Sequence, residues 1–171
     1  MSTDTLLNWA SHPSTRKMMS TVGLPTPQPL KRADGPWLDS PLDGKSVAVS
    51  GSDGLKQSVS DMGANLVDSA GEDEKLHALV FDGRHLQTVE ELRSVYDFFH
   101  ARVRTVGRCG RVVVLGKSPA DCADPVAGAV QQGLVGFTKS VSKEMGRKGS
   151  TANLLTVAEG AEDGIAGPLR F

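Results

Sequence analysis

Short apolar runs alternate with longer segments of helical period from residue 45 onward. Residues 46–50 (SVAVS) read as a first strand and 54–62 as a helix. Residues 64–67 (ANLV) give a weak second strand, 78–81 (ALVF) a third, 111–115 (RVVVL) a fourth and 152–157 (ANLLTV) a fifth. Runs this continuously apolar suit parallel strands covered on both faces. The alternation of β and α predicts an α/β fold, a three-layer, doubly wound parallel sheet of Rossmann-like type.

Two helices carry most of the remaining pattern. Over 89–106, Leu92, Val95, Tyr96, Phe99, Val103 and Val106 recur at helical spacing and predict one apolar stripe. Thr88 and Glu91 ahead of it have the spacing of a capping box, in which each side chain satisfies a backbone N–H at the helix start. Over 126–147, Val130, Leu134, Phe137, Val141 and Met145 share a face. Lys143, Arg147 and Lys148 complement the dipole at that helix's end, and Gly149 supplies a stop.

Residues 1–44 follow neither period. They hold six of the nine prolines and both tryptophans, Trp9 and Trp37. Short helices are expected over 3–10 and 14–21, followed by an extended strap where Pro25, Pro27 and Pro29 forbid a continuing helix. Too little apolar surface is present for this stretch to fold alone, so it reads as an N-terminal arm (1–44) leading into one domain (45–171).

Charge and composition narrow the function classes. A net charge of -1 gives no electrostatic case for nucleic acid or an anionic membrane. No apolar run reaches about 18 residues, and the N-terminus lacks the basic and apolar regions of a signal peptide. Cys109 and Cys122 have no metal-type spacing and read as free thiols of a cytoplasmic protein. His12, His77, His85 and His100 share no ligand spacing, so no metal site is expected.

The segment 123–157, ADPVAGAVQQGLVGFTKSVSKEMGRKGSTANLLTV, resembles the active-site helix and following strand of short-chain dehydrogenases/reductases, above all the 3-oxoacyl-(acyl-carrier-protein) reductases. That family places a Tyr-x-x-x-Lys pair just ahead of a segment matched here by Gly133, Leu134, Val135, Gly136, Phe137, Thr138, Lys139 and Ser140. Counting back, the tyrosine position holds Ala127 and the lysine position Gln131. Alanine has no hydroxyl to protonate a carbonyl, and glutamine has no charge with which to lower a phenol's pKa. The family's catalytic serine position falls on Lys117, with Ser118 one residue on. The glycine-rich cofactor turn after strand one is reduced to Ser50, Gly51, Ser52, Asp53 and Gly54. Its later glycines are misplaced, and Asp53 sets a negative charge where a diphosphate would lie. The family sheet runs 3-2-1-4-5-6-7; the connection between strands two and three here is only about ten residues, so one βα unit is missing and the order becomes 2-1-3-4-5, as in flavodoxin.

The Pro-rich leader, the degraded turn and the phrases DFFHARVRTVGRCGRVVVLG (97–116) and GFTKSVSKEMGRKGSTANLL (136–155) narrow the resemblance. They are similar to the N-terminal, flavodoxin-like, non-catalytic domain of high-molecular-weight bacterial 3-oxoacyl reductases, over roughly residues 20–171. The resemblance implies a parent that reduces 3-oxoacyl thioesters with NAD(H) or NADP(H) in fatty-acid metabolism. It implies no catalytic residue and no cofactor in this chain. Its expected partner is a C-terminal ketoreductase domain, with a homo-oligomer as the alternative. The chain stops at GPLRF, where the family continues through a helix and strand, so it is either a fragment or a naturally shortened copy. Two other readings stand beside this: an FMN or nucleotide module using residues 50–54 and 82–85, and a residual enzyme using Ser118 or an Asp82–His85 pair. Arg102, Arg104, Arg108 and Arg111 form a basic cluster that reads as solvated surface or as a dock for a carboxylate or phosphate.

Overall fold

The computed structural model describes residues 5–24, 30, 35–36, 38–69, 71 and 74–170. The strap at Pro25–Pro29 and Trp37 lie outside them. Five parallel strands form one sheet in the order β2-β1-β3-β4-β5: β1 (Ser46–Ser50), β2 (Asn65–Leu66), β3 (Leu76–Asp82), β4 (Val106–Gly116) and β5 (Thr151–Thr156). No strand forms among the described residues between 67 and 75, so the flavodoxin-like order inferred from the short connection holds.

Helices α4 (Arg93–Arg102) and α5 (Pro125–Met145) cover one face of the sheet. Val95, Phe98 and Phe99 from α4, and Val130, Leu134, Val141 and Met145 from α5, bury against Leu79, Phe81, Val112 and Val114. Helix α3 (Asp53–Asp61) covers the other face through Leu55 and Val59. There Ile165 and Leu169, around the single turn α6 (Ala166–Leu169), complete a cluster with Val47, Ala78, Val80 and Leu115. No sequence pattern marks α6. In the arm, α1 (Thr5–Ser11) and α2 (Pro13–Thr21) match the two short helices expected, and α2 buries none of its residues.

Two expectations need correction. The capping box forms: the Glu91 carboxylate accepts from the Thr88 N–H at 3.0 Å, and the Glu91 N–H donates to the Thr88 hydroxyl at 3.4 Å. However, it opens a 3-10 turn (Glu90–Leu92), and the face that α4 buries is centred on Val95, Phe98 and Phe99. Phe98 therefore enters the core, while Tyr96 is 53% exposed and stacks on His100 at 4.7 Å. Val106 belongs to β4, which starts five residues earlier than the apolar run suggests. On α5, Phe137 is half-buried and meets Phe99 at 4.7 Å between ring centroids. Gly149 takes the left-handed conformation of a helix stop, with φ 69°.

Candidate functional site

In a sheet of this order, a ligand crevice lies at the carboxyl ends of the strands, where connections from neighbouring strands diverge. Four segments meet there: the turn after β1, the ends of β3 and β4, and the first turns of α5.

The turn after β1 is occupied with building α3. The Ser52 hydroxyl accepts the Leu55 N–H at 3.3 Å and caps the helix. Asp53 lies exposed in the first helical turn, 3.7 Å from Lys56, where its charge complements the dipole. Gly51 has a packing reason: a Cβ there would come within 2.7 Å of Leu55 Cδ2 and 3.0 Å of Asp82 Cβ. Ser50 is half-buried, a Cβ on Gly54 would meet only Ser52 Oγ, at 4.0 Å, and the Gly54 carbonyl accepts the Ser58 hydroxyl at 2.9 Å.

At the end of β3, Asp82 and Arg84 form a fork. Arg84 Nε donates to Asp82 Oδ1 at 2.9 Å and the guanidinium's Nη2 to Oδ2 at 2.7 Å. The Arg84 backbone N–H adds a bond to Oδ1 at 3.2 Å. Burial pushes the Asp82 carboxyl up, but the Arg84 side chain and N–H, with the charges of Arg84 and His85, outweigh it and hold it below the usual carboxylate range. The same hydrogen bonds push Arg84 up. Both Asp82 oxygens are thus engaged by Arg84. Asp82, Arg84, exposed His85 and Lys117 line a cleft of about 280 Å³ with Glu159 and Glu162, the last 3.7 Å from Arg84.

Asp124 caps α5 by accepting the Val126 N–H at 3.0 Å, and Pro125 follows at the first helical position. Ala127 and Gln131 then point one turn apart into the protein, 8% and 1% exposed. The Gln131 amide donates to the carbonyls of Gly83 and Leu86, both at 2.9 Å, and its oxygen accepts the Lys117 N–H at 2.8 Å. Both amide protons and the oxygen are thus used, and only this orientation of the amide matches donors to acceptors. One side chain ties α5 to the ends of β3 and β4. Lys117 reaches Gln131 by its backbone; its side chain is exposed. Ser118 is half-buried, and its carbonyl accepts from Asp121 N at 3.0 Å and Cys122 Sγ at 3.5 Å.

The structure therefore brings together Ala127, Gln131, Lys117 and the end of β3, as their positions in the chain imply. Among the described residues, no carboxylate, phenol or lysine ammonium hydrogen-bonds to the Gln131 side chain. The clamp itself and the Asp82–Arg84 fork escape sequence reasoning; the Asp-x-Arg spacing is the only local signal for the second. The arginine cluster is divided. Arg102 donates to the carbonyls of Asp68 at 2.6 Å and Phe98 at 3.0 Å, and Arg111 to that of Cys109 at 2.8 Å, while Arg104 and Arg108 face a groove at the opposite end of the sheet. Among the described residues no three histidines, cysteines or carboxylates gather as a metal cluster, and no helix is long and apolar enough to cross a membrane. Neither cysteine forms a disulfide among the described residues.

No protein-family model and no curated protein matches the sequence. Solved structures do match. A short-chain dehydrogenase/reductase from Serratia marcescens aligns with TM-score 0.57 and 17% identity, covering 69% of this chain and 75% of that one. A dehydrogenase/reductase from Sinorhizobium meliloti aligns with TM-score 0.58 and 16% identity, covering 77% and 89%. At such identities the likeness is one of fold.

Proposed function

We propose that this chain is a non-catalytic member of the short-chain dehydrogenase/reductase superfamily, the N-terminal, flavodoxin-like domain of a 3-oxoacyl reductase, with a structural or interaction role. The single observation that carries this reading is Gln131. The position that would hold the family's lysine is filled by a buried amide whose hydrogen bonds all go to backbone groups. The fold shared with two dehydrogenase/reductases supports the ancestry, and the rewired crevice supports the loss of chemistry.

Ketone reduction needs a hydride donor held near the carbonyl, a proton donor and a group to tune it. Here the cap on α3 engages Ser52, the fork engages Asp82, and Ala127 offers no proton. In the parent protein, hydride from NAD(P)H and a proton from a separate ketoreductase domain would convert the 3-oxoacyl thioester to its 3-hydroxy form. This chain's part is contact with that domain or with a second copy. The outer face of α5 suits such contact: a Cβ on Gly136 meets nothing within 4 Å, and one on Gly133 meets only Leu92. Two small residues one turn apart let another helix approach closely.

The test is oxidation of NADH and NADPH in the presence of acetoacetyl-CoA. No turnover is expected from the wild type, nor from Ala127→Tyr combined with Gln131→Lys, since Lys117 and the turn at 50–54 remain unsuited. Turnover by the wild type would overturn the non-catalytic reading.

A further inference from the structure

At the amino ends of the strands, opposite the crevice just described, lies a groove of about 890 Å³. Its charged lining consists of Lys45, Lys75, Arg104, Arg108 and Lys148, with Glu74 as the one carboxylate among its described residues. The whole chain carries a net charge of -1, so this concentration of cations is local. Among the described residues these cations are also without a partnering carboxylate. The side chains of Lys75, Arg104 and Arg108 make no ion pair or hydrogen bond among the described residues. Among the described residues, Lys45 and Lys148 donate to carbonyls, of Pro41 at 2.5 Å and of Arg104 and Val106 at 3.2 and 3.0 Å. Glu74 accepts from the Ser46 hydroxyl.

The backbone places Arg108 by a deliberate irregularity. Between the pairs Leu76–Val106 and Ala78–Arg111, one residue of β3 faces four of β4, the stretch 107–110. Buried Ser150 fastens both ends of this excursion: its hydroxyl accepts the Gly110 N–H at 3.1 Å and donates to the Gly107 carbonyl at 3.2 Å. A Cβ on Gly110 would come within 2.4 Å of Val106 Cγ1, so glycine is required there. Cys109 is held at φ 55°, a left-handed conformation that costs a non-glycine residue about 1 kcal/mol or more. Bulges of this kind re-aim side chains at functional sites. This one turns Arg108 outward beside Arg104 and Lys75.

We propose that the groove binds a small molecule carrying two or more phosphate charges. Guanidinium and lysine ammonium groups that line one groove from β4 and from the segments before β1, β3, β4 and β5 match phosphate oxygens in charge. The volume is that of a small-molecule pocket, and the cations are gathered in one groove rather than spread along a stripe such as a nucleic acid or acidic protein would track. The site is independent of the non-catalytic reading, because no residue of the crevice takes part.

The experiment is calorimetric titration of the chain with inorganic triphosphate and with ATP at low salt, for the wild type, Arg104→Ala and Arg108→Ala. Both arginines are exposed, so the variants keep the fold, which circular dichroism checks. Saturable binding is expected, weakened about tenfold by either substitution and unchanged by Asp53→Ala at the far end of the sheet. Absence of saturable binding, indifference to both arginine changes, or a preference for a polyglutamate peptide over triphosphate would overturn the proposal.

Discussion

The side-chain amide of Gln131 donates to the backbone carbonyl of Gly83 at 2.9 Å, joining residues 48 apart in sequence. Replacing Gln131 by Leu keeps the volume but strands the Leu86 carbonyl and the Lys117 N–H around a 1% exposed position, while the Gly83 carbonyl keeps only the Leu86 N–H at 3.1 Å. Each buried group left without a partner costs about 1–3 kcal/mol. Relaxation and water entry recover part of this, so a loss of about 3 kcal/mol is expected in urea unfolding. A loss below about 0.5 kcal/mol, the scale of an ordinary surface change, would mean that the amide is not a clamp.

Asp82 makes stability depend on pH in a definite direction. Its folded pKa lies below the unfolded value, so its contribution is fully present above the ordinary carboxylate range and is lost as pH falls through the depressed folded pKa. Asp82→Asn is expected to cost about 2 kcal/mol at neutral pH, because Arg84 keeps its charge and loses its bidentate partner, with only the half-exposed Glu162 left 3.7 Å away. The variant's deficit should shrink below about pH 4, where the wild-type carboxylate is itself being protonated. Denaturant midpoints across the acid range check this; a deficit constant with pH would contradict it.

Two glycines should respond oppositely to alanine. On Gly83, the new Cβ would fall 2.7 Å from Leu134 Cδ1 and 3.3 Å from the Leu115 carbonyl oxygen. Overpacking of this kind costs about 1–3 kcal/mol. On Gly136, within α5, the Cβ meets nothing within 4 Å, so Gly136→Ala should stabilise the chain by about 0.5–1 kcal/mol through helix propensity. Thermal melts of both variants give the signs directly.

Much of the fold was legible because the apolar runs at 46–50, 78–81 and 111–115 are short, continuous and bounded by glycine or charge. The early start of β4 was not, since Gly107, Arg108, Cys109 and Gly110 have neither β period nor β propensity, and tertiary bonds from Ser150 hold them. Tyr96 was assigned inward because it shares the 3.6-residue stripe of Leu92 and Phe99, whereas the face that α4 buries turns the other way, to Phe98. At the site, the missing tyrosine and lysine could be counted from Gly133. What replaces them could not, because the partners of Gln131 are backbone atoms, which leave no signature in the sequence.

The central proposal is that the crevice at the carboxyl ends of the strands, where the Gln131 clamp fills the family's lysine position, binds no nicotinamide or flavin. Site-resolved amide NMR, titrating the chain with NADH, NADPH and FMN, tests it most directly and separates this crevice from the groove at the other end. The backbone signals of Gly51, Gly83 and Lys117 and the side-chain amide of Gln131 are expected to stay in place throughout. Saturable movement of those signals at micromolar ligand, abolished by substitutions within residues 50–54, would contradict the claim.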